Sequence, residues 1–191
     1  WQYGIASSKF RWNLSGTYQQ ALPRYYSVDE HGEIHDFLLQ YYTSAAQAAN
    51  NCFLKGYQWP FDSGKVNGSS RIDLLIHREL AEKVNSGDPE SRILYMDFRE
   101  NPPRLALKEL SDEAYTYLSN SDALQNTPIQ RLIAMNPQAY QLYLDHGIDL
   151  KTEALEIAVC AQHNNGGADV DLHYETTVKN LFAAGECACT L

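Results

Sequence analysis

Between residues 34 and 57, apolar residues recur every three to four positions, the spacing of an amphipathic helix. The stripe predicts a helix over residues 34–57 that ends at Gly56, because glycine is favoured where helices stop. Before it, residues 1–26 mix aromatic side chains with glycine and proline and show no helical period. That mixture indicates strand and loop.

Later elements are marked by caps and breakers. Ser70 and Asp73 have the spacing of a capping box and predict a second helix over residues 70–87. The apolar run 93–98 stops before two prolines, as a strand does. Three more helices are predicted over 111–119, 128–135 and 137–146, with Ser111 and Asn136 as N-caps and Gly147 after the last.

Beyond residue 155 the pattern changes to short apolar runs. Residues 157–161 and 181–184 predict two strands, separated by a Gly166-Gly167 turn and ended by Gly185. Helices followed by strands, without regular alternation, predict an α+β fold with a helix-rich region, a small sheet and C-terminal strands.

Composition narrows the classes of partner. The 24 acidic and 15 basic residues give a formal charge of -9, which argues against nucleic acid because phosphate contacts need clustered lysine and arginine. No apolar run reaches the roughly 20 residues of a membrane span, so none is predicted. Four cysteines in 191 residues are typical of reduced thiols and favour a cytoplasmic location. Cys187 and Cys189 lack a second ligand pair, so we expect no metal site.

Two motifs near the C-terminus follow each other in order. Residues 162–167 read Gln-His-Asn-Asn-Gly-Gly, and residues 180–186 read Asn-Leu-Phe-Ala-Ala-Gly-Glu. The pair resembles the succinate dehydrogenase/fumarate reductase flavoprotein family, in which His-x-x-x-Gly-Gly precedes x-Gly-Leu-Phe-Ala-Ala-Gly-Glu. Two motifs in order, at the right separation, are more specific than either alone. Residues 95–99 and 69–73 are also similar to a strand and a helix start of this family.

The resemblance implies FAD as the cofactor and Gly166, Gly167, Gly185 and Glu186 as residues beside it. This fits a strand end that brings small residues to the edge where nucleotides bind in α/β sheets. A solvated glutamate on an ordinary strand-end turn stays open as the alternative for Glu186.

The resemblance also implies that Arg71 is catalytic, because it matches the proton-delivering arginine of fumarate reductases. The register is shifted, since Asp73 follows two residues after Arg71 where the family has its acid directly after the arginine. A solvated arginine in the first turn of a helix is the alternative.

The substrate clamp of the family is altered in this sequence. Alignment on the two glycines places Gln162 where the family has a histidine, and Gly4 falls near the position of a second histidine. A neutral amide is a weaker partner for a carboxylate than a cation. We therefore expect a substrate other than plain fumarate or succinate, bound by Gln162, His163 and Asn164. A plain turn is the alternative for Asn164.

The chain lacks the Gly-x-Gly-x-x-Gly turn that binds dinucleotides. We therefore interpret residues 1–155 as a substrate-capping domain, whose first residues could belong to the FAD-domain edge, and 156–191 as the return segment of a truncated FAD-binding domain. Such a piece should neither hold FAD tightly nor turn over alone.

By resemblance, the parent enzyme transfers a hydride between flavin and an organic substrate. Its expected partners are that small substrate, the rest of the FAD-binding domain and an electron-transfer partner. Two alternatives stay open at this point: a non-catalytic ligand- or partner-binding module derived from such a cap, and a structural contact between subunits.

Overall fold

The computed structural model describes residues 2–10, 12–57, 69–85, 93–163 and 167–188, with the backbone alone at 2, 3, 69, 70, 82–85, 161–163 and 186. The chain divides into two compact units. One is Gly4–Cys160, and the other combines Trp1–Tyr3 with Ala161–Leu191. The assignment of a cap to 1–155 and of a return segment to 156–191 stays a prediction.

The described residues form helices and one small sheet, which confirms the predicted α+β class. The helices are α1 (Thr17–Gln20), α2 (Ala45–Tyr57), α3 (Ser69–Asn85), α4 (Asp112–Asn120), α5 (Pro128–Met135) and α6 (Pro137–Asp145). The strands are β1 (Gln2–Ser7), β2 (Arg24–Val28), β3 (Ile34–His35), β4 (Ile93–Asp97) and β5 (Leu155–His163), and three short 3-10 helices span Phe37–Gln40, Leu107–Glu109 and Gly185–Cys187.

The five strands lie in the order β1-β5-β4-β2-β3. β2 pairs antiparallel with β3 and β4, and β4 pairs antiparallel with β5. Because side chains of paired residues share a face, Tyr25, Met96 and Leu155 all point to one side, and all three are buried in the core. Side chains from α2, α3, α5 and α6 close that core over the sheet.

The predicted helix over 34–57 is wrong in its first part. Residues 34 and 35 pair with β2, Phe37–Gln40 forms a 3-10 turn, and α2 begins only at Ala45. Arg24 on β2 holds Asp36 with two short hydrogen bonds, at 2.6 and 2.8 Å, which fix this segment against the sheet. The apolar stripe is present in the sequence, but its first residues pair with β2, which is distant from α2 in the chain, and do not join the helix.

Gly56 is the predicted end of the helix, but it lies inside the last turn of α2. A Cβ at this position would overlap the carbonyl oxygen of Gly16 and the side chain of Gln20. The glycine therefore lets α1 approach α2 closely, and Gln20 donates a 3.2 Å hydrogen bond to the Gly56 carbonyl.

Local caps are confirmed at the later helices. Ser111 accepts a hydrogen bond from the Ala114 amide at the start of α4, and Asn136 accepts one from the Ala139 amide at the start of α6. The second predicted helix is present as α3, which begins at Ser69. The capping box predicted at its start depends on the Ser70 side chain, which lies outside what the structure describes, and Asp73 pairs with Lys55 of α2.

Arg131 on α5 is the largest fully buried side chain among those described. Its guanidinium donates to the carbonyls of Ala21, Leu22 and Gln125 and to the side chain of Asn101. The contacts to Ala21 and Leu22 tie the end of α1 to α5, so the cation takes the place that an apolar side chain normally has.

The second predicted C-terminal strand, residues 181–184, does not form in the described part of the chain. Phe182 makes a single bridge to Glu175, and Leu181 and Phe182 are more than half exposed. An apolar run becomes a strand only when a partner supplies a ladder of hydrogen bonds, and one bridge does not. Within the described ranges, no helix has the length and apolar content needed to cross a bilayer.

Candidate functional site

The two C-terminal motifs meet in the structure. Gly167, at the end of the first motif, lies against the backbone of Cys187, which follows the second, and any Cβ on Gly167 would overlap the Cys187 carbonyl. The Ala168 amide donates to the Cys187 carbonyl at 2.9 Å, and Ala168 and Ala188 form a parallel bridge. A glycine is therefore required at position 167 by packing between the motifs, and its predicted role at the cofactor stays a prediction.

Gly185 opens the turn Gly185–Cys187 with a positive φ of 75°, a conformation that favours glycine. Apart from its chain neighbours, no atom of the described residues lies within 4 Å of the position that a Cβ would take there. The space beside this backbone is thus open to another molecule, as a nucleotide cofactor would need. Glu186 follows in the same turn, and the structure describes its backbone alone.

Between the motifs, the chain is stabilised by hydrogen-bonded turns and not by an apolar core. The carboxylate of Asp171 accepts from the amides of His173 at 2.8 Å and Glu175 at 3.0 Å, and these bonds hold the pKa of Asp171 below its ordinary value. Large apolar side chains of this segment are exposed, namely Leu172, Tyr174, Val178, Leu181 and Phe182. Such a concentration of exposed apolar surface is typical of a region that another surface covers.

The predicted substrate-binding residues fall at and beyond the end of β5. Gln162 and His163 are its last two residues and are described by backbone alone. Asn164 and Gly166 lie outside the described residues. The binding roles of these residues therefore stay predictions.

Arg71 lies in the first turn of α3, in the unit Gly4–Cys160. One terminal nitrogen of its guanidinium donates to the Tyr41 carbonyl at 3.3 Å, and its Cζ lies 4.9 Å from the centre of the Tyr42 ring. The side chain is partly buried, and the predicted catalytic role of Arg71 stays a prediction. Sequence reasoning missed Tyr42, because its contact with Arg71 joins residues 29 positions apart.

A buried ion pair supports the same helix. Lys55 Nζ lies 2.8 Å from a carboxylate oxygen of Asp73, and both side chains are almost fully buried. The other carboxylate oxygen has no hydrogen-bond partner among the described residues. Burial raises the pKa of Asp73 to about 6, although the charge of Lys55 opposes the shift. The pair joins α2 to α3, and no local spacing in the sequence indicates it.

A cavity of about 500 Å³ opens on the sheet face opposite the helices. The stacked rings of Tyr26 and Tyr95 form part of its wall, and Lys9 and Glu153 form an ion pair at its rim. Arg71, Gly167 and Gly185, the predicted site residues that the structure describes in full, do not line this cavity.

Comparison with known proteins gives partial matches to L-aspartate oxidases and to a fumarate reductase subunit. L-aspartate oxidase of Clostridium perfringens is 31% identical over 91 residues, 47% of this chain and 21% of the relative. L-aspartate oxidase of Pyrococcus furiosus is 33% identical over 112 residues, 59% of this chain and 23% of the relative. One subunit of the fumarate reductase (CoM/CoB) of Methanothermobacter marburgensis is 48% identical over 44 residues, 23% of this chain and 8% of the relative.

The matched regions thus make up less than a quarter of these relatives. No family model matches the chain. A solved quinol-fumarate reductase with menaquinol molecules superposes with a TM-score of 0.50 at 18% identity, over 98% of this chain and 26% of that one, and shares its fold. Together, the sequence relatives and the shared fold confirm the predicted resemblance of this chain to the succinate dehydrogenase/fumarate reductase flavoprotein family.

Proposed function

We propose that this chain is the substrate-capping region, with the adjoining motif segment, of an FAD-dependent oxidoreductase. The observation that carries the proposal is the meeting of the two motifs, where Gly167 packs on Cys187 beside the open turn at Gly185. The relatives named as L-aspartate oxidase and fumarate reductase support it, because both names denote redox enzymes.

The residues present fit FAD at the Gly185 turn, where the backbone is open to close approach. FAD supplies the hydride chemistry when it is bound, and the chain supplies position and electrostatics. Gly166, Gly167, Gly185 and Glu186 are the residues that would lie beside it. The exposed apolar side chains of residues 172–182 would pack on the remainder of an FAD-binding domain, so this chain alone would not hold the cofactor tightly.

We propose that the substrate is an organic molecule other than plain fumarate or succinate. Gln162 replaces a histidine of the family, and a neutral amide binds a carboxylate less strongly than a cation does. Gln162, His163 and Asn164 would donate hydrogen bonds to this substrate. Arg71 would deliver the proton that accompanies hydride transfer, and an electron-transfer partner in a reducing cytoplasm would complete the cycle.

The test uses the flavin-loaded protein that contains this sequence. Its flavin is reduced anaerobically, fumarate is added, and the return of the oxidised flavin absorbance is followed. Slow or absent reoxidation supports the altered clamp, and other unsaturated acceptors are then screened in the same way. Rapid reoxidation by fumarate would contradict the substrate proposal, and a protein that purifies without flavin would contradict the proposal as a whole.

The role of Arg71 is tested by Arg71→Lys against the matched control Arg78→Lys. Both arginines lie on α3 above a tyrosine ring, Arg71 over Tyr42 and Arg78 over Tyr41. Loss of a positioned proton donor lowers kcat by about 10²- to 10⁴-fold, so we expect that loss in Arg71→Lys and near-normal kcat in Arg78→Lys. Equal kcat values in the two variants would remove Arg71 from the mechanism.

A further inference from the structure

The contacts of Arg71 support an inference that extends the proposed function and rests on it. We propose that Tyr42 is a positioning residue, whose ring face, together with the neighbouring Tyr41 carbonyl, holds the guanidinium of Arg71 in one orientation for proton delivery. The proposal concerns residues 41 and 42, which neither motif contains.

The geometry supplies two fixed points for one planar group. The ring centre of Tyr42 lies 4.9 Å from Arg71 Cζ, within the range of a cation–π contact. The Tyr41 carbonyl accepts a hydrogen bond from one guanidinium nitrogen at 3.3 Å. A face contact and an in-plane hydrogen bond together restrict both the tilt and the rotation of the guanidinium.

The tyrosines are themselves held in place. They follow the 3-10 turn Phe37–Gln40, whose Phe37 and Leu38 are buried, and the Tyr41 amide donates to the Leu38 carbonyl at 3.0 Å. Tyr42 is 8% exposed, so its ring has little room to move. The positioning surface is thus part of the core and not a mobile loop.

A second contact repeats the pattern two helical turns along α3. Arg78 Cζ lies 5.4 Å from the Tyr41 ring centre, and the Tyr41 hydroxyl donates to Glu79 at 3.1 Å. The two consecutive tyrosines therefore contact α3 at two positions, two helical turns apart. The Lys55–Asp73 pair fixes the same helix to α2, so both partners of the Arg71 contact are on supported elements.

The ring of Tyr42 matters in this arrangement, and its hydroxyl does not. The hydroxyl is buried and has no hydrogen-bond partner among the described residues. Tyr42→Phe keeps the ring face and is expected to behave as the parent protein. Tyr42→Leu removes the ring face, so the guanidinium loses one of its two fixed points.

The matched control is Tyr26→Leu. Tyr26 is also a buried tyrosine beneath an arginine, with Arg24 Cζ 5.2 Å from its ring centre, but it lies on the sheet face opposite the core. Its ring stacks on that of Tyr95, so both neighbours belong to β2 and β4 and are remote in the fold from α3. Its loss therefore tests for a general effect of deleting a buried ring.

The experiment labels the flavin-loaded protein with ¹⁵N-arginine and measures exchange of the Arg71 Nη protons, one of which is donated to the Tyr41 carbonyl, with the signals assigned by their loss in Arg71→Lys. We expect slow exchange in the parent protein, Tyr42→Phe and Tyr26→Leu, and fast exchange in Tyr42→Leu. With the unsaturated acceptor that reoxidises the flavin fastest in the screen above, we also expect kcat to fall roughly 10- to 100-fold in Tyr42→Leu with KM little changed, because misplacement of a reacting group by about 1 Å has that effect.

Unchanged exchange in Tyr42→Leu, or an equal change in Tyr26→Leu, would overturn the inference. If Tyr42→Leu does not fold, Tyr42→Met fills more of the ring volume without a π face and is read by the same criteria. If Arg71→Lys keeps full kcat while Tyr42→Leu releases the guanidinium, Tyr42 still positions Arg71 and it is proton delivery by Arg71 that fails.

Discussion

The unit Gly4–Cys160 buries most of its large apolar side chains, whereas residues 167–188 of the second unit leave most of theirs exposed. Phe37, Phe53 and Phe98 have no exposed surface in the first unit, while Phe182 is 59% and Leu172 97% exposed in the second. The first is held by a core, and the second by turns such as the one at Asp171.

This difference shows that two kinds of physical requirement determine which residue types occur in this chain. In the unit Gly4–Cys160, residue types follow burial, since each core side chain excludes water from its neighbours. In the motif segment, Gly167 and Gly185 follow backbone geometry, because one touches Cys187 and the other has a positive φ. The segment that indicates the family is therefore a poor guide to what stabilises the molecule.

The largest expected effect tests this contrast directly. Phe98→Ala empties a fully buried site and should lower the free energy of unfolding by about 3–5 kcal/mol, from lost apolar burial plus the cavity. Phe182→Ala, the matched change at an exposed phenylalanine, should change it by less than about 0.5 kcal/mol. Urea denaturation followed by circular dichroism measures both. Similar losses in the two variants would mean that the motif segment has a core of its own.

A smaller effect is expected at Arg131, the buried cation of the unit Gly4–Cys160. Arg131→Met leaves the carbonyls of Ala21 and Gln125 without their donor and should cost roughly 2–4 kcal/mol of stability, since buried unpaired polar groups are costly. Exposed Lys108→Met is the control and should change stability little. Should the two variants have the same urea midpoint, Arg131 would be dispensable for the fold.

The smallest effect concerns pH and the Lys55–Asp73 pair. Because burial raises the pKa of Asp73 to about 6, the folded protein binds more protons than the unfolded chain between about pH 4 and 6. Asp73 therefore makes the free energy of unfolding fall as pH rises through that window, by roughly 2–3 kcal/mol in total. Below about pH 4 the carboxyl is neutral in both states and this loss is absent.

Substitutions at the pair sharpen that prediction. Lys55→Met removes the charge that lowers the Asp73 pKa, so the fall in stability should continue to higher pH. Asp73→Asn removes the titrating group and should flatten this part of the profile. Urea midpoints at pH 4, 5, 6 and 7 test both variants, and parallel profiles for all three proteins would show that the pair does not titrate in this range.

Local signals explain which elements the sequence can predict. Helices α4 and α6 each have an N-cap side chain that bonds the third following residue, and the sequence indicates their starts at Ser111 and Asn136. The start of α2 cannot be predicted from the apolar pattern of residues 34–57, because His35 pairs with Ser27 of β2. Residues 181–184 look like a strand in isolation, yet the described chain gives Phe182 one bridge.

The candidate site divides in the same way. The order and spacing of the two glycine motifs are written in the chain itself, and they are enough to predict the family resemblance and the candidate residues Gly167 and Gly185. The contacts of Arg71 with Tyr42 and of Lys55 with Asp73 link residues from separate elements, at separations of 29 and 18 positions.

By itself, then, the sequence determined the N-caps of α4 and α6, the apolar runs of β4 and β5, and the order of the two motifs, because these depend on residues close together in the chain. Only the tertiary structure decided where α2 begins, what Gly56 and Gly167 are for, and which side chains hold Arg71 and Asp73. Each of these depends on two segments that meet only after the apolar core has formed, and no spacing along the chain encodes such a meeting.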